Sequence, residues 1–380
     1  MPGPVGGVMP LSIERVEGRK KMGEFIRLPW RIYKGDPNWV PPLLRQERAR
    51  FDPGKNPFFQ HADVALFLAR RDGEPVGRIA AIVNHAHNEF WKDKVGFFGF
   101  FEGPDDEEVA GRLFEEAGSW LRERGMEVMR GPMEFSTNET CGMLVEGFGR
   151  PPMVMMPYNP PYYPRLLESL GFQKAKDLYA FYIRADTPVP ERVARIAQLA
   201  QKRTGIRVRS LRMKEFWDEV ERVKVVYNSA WSRNWGFVPM TDAEFEHIAK
   251  ELKQIVEPEL VLFAETEEGE PVGYSMAVPD VNQVLRRING RLDPISLVKI
   301  LWYSRRINEA RLMTLGVREE FRRRGIETVF YIKTLEAARR LGYVGGELSW
   351  TLEDNHLINR AIETMGGRRY KTYRIYDREL

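Results

Sequence analysis

Residues 319–330, EEFRRRGIETVF, crowd three arginines and a glycine between two apolar stretches. The preceding EARLMTLGV reads as a strand and the following VFYIKTLEAARRLG as a helix. The first turn of a helix presents unpaired N–H groups and the positive end of its dipole, so it suits a phosphate. Arg322, Arg323 and Arg324 add charge attraction and forked donors. Gly325 lets a backbone come close to a ligand, and Thr328 can cap the helix or bond a phosphate oxygen. The same pattern also suits a solvated basic loop that happens to lead a helix.

A second stretch with chemical content is FSTNETCGMLVEGFGRPPMVMMPYNPPYY, residues 135–163, which follows neither a helical nor a strand period. Its methionines and aromatics fit a pliable apolar pocket with polar tips. Tyr158, Asn159, Tyr162 and Tyr163 are therefore candidate pocket residues, although a buried loop joining two domains would have the same composition. His85 and His87 in NHAHNEFW could share one side of a strand, but Glu89 is the only further ligand type close by, and no metal is expected.

These candidates must be carried by elements, and the chain is long enough to supply several. Its 380 residues are 43% hydrophobic, which suits two or three domains. The net charge of +4 comes from 58 basic and 54 acidic residues, too even a balance for a nucleic-acid coat. Cys141 is the only cysteine, so neither an intrachain disulfide nor a cysteine zinc cluster can form. The first twelve residues, MPGPVGGVMPLS, lack the basic and apolar regions of a secretory signal. No run reaches the length of a membrane-spanning helix, and a cytoplasmic protein is expected.

The chain also repeats itself. GEPVG stands at 73–77 and again 196 residues later at 269–273, each time between two apolar runs that read as a hairpin. At the same offset, the helix–glycine–strand pattern starting at Asn159 returns at Asn355. The expected division is 1–187 and 188–380, with the boundary in DTPVPERVARIAQ. Where the second half has its arginine turn, the first has FEGPDDEEVAGRLF. Asp105, Asp106, Glu107 and Glu108 suit a helix start but would repel a phosphate, so a phosphorylated ligand is expected on the second half only.

The stretch LMTLGVREEFRRRGIETVFYIKTLEAARRLGY resembles the acetyl-CoA-binding motif of the GNAT acyltransferase superfamily. Arg322, Arg324, Gly325 and Ile326 fit that motif, and ELSWTLEDNHLINRAIETMGG resembles the next one along the family's chain. The resemblance implies an α/β fold of two tandem GNAT-like acyl-CoA N-acyltransferase domains, each a mixed central sheet flanked by helices, with a degenerate copy at 1–187. It implies acetyl-CoA or another acyl-CoA as co-substrate and a small-molecule or lipid amine as acceptor. By position in the family, the pantetheine would lie along Thr314, Leu315 and Val317, and Asn355 would meet the cofactor, unless it merely caps the short helix.

Transfer to an amine needs a base, an oxyanion donor and a proton for the departing sulfur. Glu347 and Glu353 are candidate bases, and Tyr370 and Tyr373 candidate acids. The sequence departs from the family at two points. Glu327 occupies a position where the motif has a small residue, and Ile362 and Leu167 stand where many members carry a tyrosine acid. These departures would equally suit a non-catalytic CoA or small-ligand binding or sensor protein on the same scaffold. The insertion LRRINGRLDPISLVKILWYSRRIN, 285–308, reads as a lid, a membrane-surface helix or a packed core helix.

Overall fold

The structure, a computed structural model, describes residues 11–380, apart from the side chains of Arg203 and Thr204. Most of the N-terminal stretch read above for a signal therefore lies outside the described residues. The first half runs β1 (Ser12–Arg15), α1 (Gly18–Arg27), α2 (Pro29–Ile32), α3 (Leu44–Arg50), β2 (Ala62–Arg71), β3 (Glu74–Asn84), α4 (His85–Trp91) and β4 (Val95–Glu102). It continues through α5 (Glu107–Arg122), β5 (Val128–Gly131), β6 (Met133–Glu134), β7 (Thr140–Cys141), β8 (Met143–Glu146), α6 (Tyr163–Ser169) and β9 (Gln173–Arg184). The second half runs α7 (Glu191–Thr204), β10 (Arg207–Ser210), α8 (Phe216–Ala230), α9 (Asp242–Leu252), β11 (Val261–Glu265), β12 (Pro271–Pro279), α10 (Asn282–Leu285) and α11 (Pro294–Ser304). It closes with β13 (Glu309–Val317), α12 (Ile326–Arg340), β14 (Gly345–Leu352), α13 (His356–Thr364) and β15 (Arg368–Glu379).

The two GEPVG turns do close equivalent hairpins, β2–β3 and β11–β12. Gly73 and Gly269 turn them at φ of +78° and +85°, a conformation that costs a side chain but not a glycine. Within each half one strand pair is parallel, β4 with β5 and β13 with β14, and the other neighbouring pairs are antiparallel. Helices cover both faces, so β4 is buried on both and reads VGFFGFFE without polar alternation. His85 and His87 lie at the start of helix α4 rather than on a strand, because Asn84 caps that helix by accepting from the His87 N–H at 3.1 Å.

The halves exchange their last strands. The sheet order is β1-β2-β3-β4-β5-β15-β9-β14-β13-β12-β11-β10. Thus β15 pairs with β5 of the first half, and β9 pairs with β14 of the second. Between them β9 and β15 pair antiparallel along nearly their whole length. Two forked ion pairs pin the exchange: Arg374 to Asp177 at 2.8 and 3.1 Å, and Arg130 to Asp377 at 2.8 and 2.7 Å. The result is one continuous sheet of thirteen strands, counting β8 beside β15.

Candidate functional site

The strands β13 and β14 run side by side only from Glu309 with Gly345 to Leu312 with Leu348, and then part. On its other edge β13 continues pairing with β12, with Thr314 opposite Met276 and Leu312 opposite Ala277. Met313 is thus the extra residue of a bulge, at the point where the strands diverge. Beyond Leu312 one edge of β13 has no strand neighbour, which leaves backbone hydrogen-bonding groups for another partner. Arg311 holds the divergence in shape. It is buried, and it donates to Ser349 Oγ at 2.8 Å, Ser349 O at 3.2 Å and Val154 O at 2.8 Å.

A cavity of about 300 Å³ occupies this divergence. One wall is Arg311 to Leu315, the opposite wall Leu348 to Leu352, and Asn355, Ile358 and Ile362 close the end near α13. From there the cavity continues between the sheet and helices α8 and α9, where Val220, Val223, Phe245, Ile248, Ala249 and Leu252 make it apolar. Gly316 is required by this wall, because a Cβ there would lie 2.2 Å from the Trp231 ring.

The first half supplies part of the same cavity, from the passage 135–163. Thr137, Asn138, Glu139 and Met155 line it. Thr137 donates to Gly236 O at 2.6 Å, Asn138 to Val238 O at 3.0 Å, and Tyr227 to Asn138 Oδ1 at 2.5 Å. Trp91 donates to Phe237 O at 2.8 Å, and His61 bonds Glu244 at 3.0 Å. The segment after α8, which walls the cavity, is therefore held by the other half of the chain.

At the arginine turn the three side chains differ in role. Arg322 donates to Val317 O at 3.2 Å and Ala230 O at 2.6 Å, so it ties the turn to β13 and α8. Arg323 and Arg324 are exposed, and Arg324 makes one bond, to Glu320 O at 3.0 Å. Gly325 is the N-cap of α12 at φ +82°, and no side chain caps the helix. Among the described residues its first-turn N–H groups thus have no side-chain cap, which leaves them for an anion, although Glu327 stands in the same turn. The space around Gly325 is not kept open for a ligand, as the sequence suggested. A Cβ there would sit 3.1 Å from the Ala200 Cβ and 3.2 Å from Ile196 Cγ2, so the glycine admits helix α7.

The equivalent places in the first half are filled. Asp106 caps α5, accepting from the Glu108 and Val109 N–H groups at 2.9 and 3.2 Å, and its carboxylate also takes Arg71 at 2.7 Å. The helix start thus already holds its own anion. Where β4 and β5 part, Phe100 packs on Phe51 and Phe135 with ring centroids 4.7 and 5.0 Å apart.

Of the expected site residues, Thr314, Leu315 and Asn355 line the cavity, and Asn355 also caps α13, accepting from the Ile358 N–H at 3.4 Å. Ile326 is buried in the helix start, and Thr328 is half-buried in the first turn of α12. Val317 lies beyond the cavity, its carbonyl bonded to Arg322. The expected acids and bases are held elsewhere. Glu347 is wholly buried, accepts from Ser349 Oγ at 2.5 Å and from the Tyr370 hydroxyl, and lies 3.7 Å from Arg311. Glu347 is absent from the lining of this cavity and lines a smaller one instead, and burial beside Glu347 drives the Tyr370 hydroxyl far up in pKa. Tyr373 is buried, its hydroxyl has no partner among the described residues, and it is absent from the cavity lining. Glu353 accepts from the Asp177 N–H at 3.0 Å and pairs with Lys174 at 2.6 Å.

The four pocket candidates are likewise corrected. Tyr158 donates to Asp36 at 2.8 Å, Tyr162 to Gly103 O at 2.8 Å and Tyr163 to Glu102 at 2.7 Å. Asn159 bonds the Leu144 N–H and carbonyl at 2.7 and 3.1 Å. Each satisfies a polar group of the first half, and none lines the cavity. Among the lining residues that the sequence reading did not single out are Glu139, Arg311 and Tyr331. Burial pushes Glu139 up to about 8, against the pull of Arg50. Tyr331, on α12, stands in the lining with Ile358 and Ile362, and burial raises its hydroxyl. Glu219 also lines the cavity, but Arg209 holds it at 2.6 Å. Among the described residues, no three metal-binding side chains converge, and no helix is long and apolar enough to cross a membrane.

The chain is similar along its whole length to known proteins. It is 38% identical over 380 residues to the bacterial ceramide synthase of Caulobacter vibrioides (strain NA1000 / CB15N), covering 97% of this chain and 98% of that one. It is 33% identical over 363 residues to protein YghO of Escherichia coli (strain K12), covering 94% of this chain and 92% of that one. Among solved structures, a tandem GNAT protein from the clavulanic acid biosynthesis pathway superposes with a TM-score of 0.57 at 12% identity, over 97% of this chain and 98% of that one. No family model matches the chain.

Proposed function

This chain belongs to the family of the bacterial ceramide synthase, N-acyltransferases of tandem GNAT fold, and we propose that it moves a long acyl group from acyl-CoA to the amine of a lipid-like acceptor. The product would be an amide of the ceramide type, with free CoA as the thiol. One observation carries this reading: the cavity between β13 and β14 runs on into an apolar compartment under α8 and α9, so a thioester and a chain can share one site.

In this proposal the CoA diphosphate sits at the uncapped start of α12, where Arg323 and Arg324 face solvent. The pantetheine lies along the unpaired edge of β13 at Thr314 and Leu315, and the bulge at Met313 offers backbone N–H groups to the thioester oxygen. The amine nitrogen attacks the carbonyl, the C–N bond forms, and the C–S bond breaks. Glu139, with its pKa near 8, is matched to taking the ammonium proton. Tyr331 would return a proton to the sulfur in place of the tyrosine that Ile362 replaces. The halves divide at residues 187 and 188, and the first has lost its cofactor site to Asp106 and the phenylalanines.

The test is turnover of purified protein with acyl-CoAs of graded length and a long-chain amine, following thiol release and the amide by mass spectrometry. Amide should form, and Glu139→Gln should lower kcat by roughly a hundredfold while CoA binding is retained. Thiol release without amide, or no turnover with any amine, would sink the proposal.

A further inference from the structure

Helix α11 is arranged the wrong way round for a packed helix. Its only buried residue is Ser296, while Ile295, Val298, Leu301 and Trp302 are 70%, 67%, 70% and 59% exposed. These positions recur every three or four residues, so they form one outward stripe, with Leu297 also exposed beside it. Soluble surfaces scatter single apolar residues, but a continuous stripe of this kind marks a surface that something covers.

The helix is a fixed mount rather than a swinging lid. Gly290, just before it, packs so closely that a Cβ would lie 2.5 Å from Pro42 O and 2.7 Å from the Trp30 ring. The Leu44 N–H donates to Gly290 O at 3.1 Å, and Trp30 donates to Asn289 at 2.9 Å. Before that, Asp280 accepts from the Val154 N–H at 2.9 Å, and Asn282 donates to Pro152 O at 2.9 Å. The segment 280–290 that leads into α11 is thereby bound to the first half at both its ends.

Charge indicates what covers the stripe. From 286 to 306 there are six basic residues, Arg286, Arg287, Arg291, Lys299, Arg305 and Arg306, and one acid, Asp293, which caps α11 by accepting from the Ser296 N–H at 2.8 Å. Arg306 lies over the Trp302 ring at 4.5 Å and Arg287 over Tyr303 at 5.1 Å, so cations and interfacial aromatics alternate. Trp30 and Trp39, ring centroids 5.2 Å apart, line an open cavity with Arg286 and Arg287 beside the same insertion. A second copy of this chain would bring two basic rims together, which like-charge repulsion opposes.

We infer that α11 docks the protein on an anionic phospholipid bilayer, with the stripe at the acyl boundary and the basic rim among the headgroups. The inference deepens the proposed use of a lipid amine, since such an acceptor resides in a bilayer. It can nevertheless stand or fall alone, because docking is read without turnover.

The probe is co-sedimentation with vesicles of phosphatidylcholine alone and of phosphatidylcholine with about one third phosphatidylglycerol. Binding is expected to the anionic vesicles, weakening as salt rises, and to fall by about tenfold or more in Leu301→Ser/Trp302→Ser and in Arg305→Glu/Arg306→Glu. Both variants change exposed side chains, so thermal unfolding and acyl transfer to a detergent-dispersed amine should match the parent protein. No binding to either vesicle, or equal binding by parent and variants, overturns the inference. So does a concentration-dependent dimer that either variant dissolves, which would assign the stripe to a second copy. Failure of acyl transfer with intact vesicle binding would instead count against the proposed reaction alone.

Discussion

The apolar compartment can be tested as a chain-binding site by partly filling it. Ala249, on α9, is 8% exposed and lines the cavity beside Val220 and Leu252. Ala249→Leu adds three carbon atoms, and if each displaces one methylene of a bound chain the loss is about three times 0.8, or ~2.4 kcal/mol. That is roughly a 60-fold fall in kcat/KM, since about 1.4 kcal/mol is tenfold. The loss should appear only for chains long enough to reach α9. Two series are measured: acyl-CoAs from acetyl upward with one amine, and amines of rising length with one donor. The series that shows a break identifies which chain the compartment holds. Because the leucine fills empty space, the variant should unfold at no lower temperature than the parent. A uniform fall across both series, or none in either, would refute the assignment of this compartment to a chain.

Three further outcomes follow from the same geometry. Arg324→Glu should weaken CoA binding by about tenfold in calorimetry without shifting Tm, whereas Arg322→Ala should also lower stability, by ~1–3 kcal/mol, because it leaves Val317 O and Ala230 O without their donor. Glu327→Gln should tighten CoA by up to ~1 kcal/mol, the scale of one partly exposed charge contact, and unchanged binding would mean the carboxylate points away from the diphosphate. The Glu244 hydrogen bond raises His61 above 6.5, while burial would raise Glu244 but the His61 bond holds it below 4.5. The histidine's contribution is complete below its unfolded value and fades as pH rises through the folded one, and the glutamate's fades as pH falls. The stability gap between the parent and His61→Gln should therefore be widest at about pH 5–6 and shrink above neutrality, and a gap independent of pH would dismiss the link.

Much of the architecture was legible because it rests on local rules. The hairpins announce themselves by a glycine turn between apolar runs, and α12 by its three-residue apolar spacing and its following glycine. The helix begins three residues before the Val329 that opens its apolar run, at Ile326, because Gly325 in the left-handed region ends the turn there. The charge contrast between Arg322–Arg324 and Asp105–Glu108 was visible too, since both flank a helix start and act within one turn. The candidate acids and bases fared differently. Glu347 alternates with Leu348 as a solvent-facing strand residue would, yet the sheet carries helices on both faces, so the position is buried and ion-paired with Arg311.

By itself the sequence determined the repeated hairpin-and-helix plan, the turn that resembles an acyl-CoA-binding motif and the basic helix start at Arg322–Arg324, all of which depend on residues near one another in the chain. Only the tertiary structure decided the exchange of β9 and β15, because both strands carry the alternating pattern that either sheet edge would accept. It alone decided that Tyr158, Asn159, Tyr162 and Tyr163 serve the first half, since a hydroxyl's partner is a matter of distance and not of spacing. It also brought Glu139 to a cavity whose other wall begins at Arg311. Contacts between residues so far apart are chosen by packing and burial summed over the whole sheet, which no local pattern of residues records.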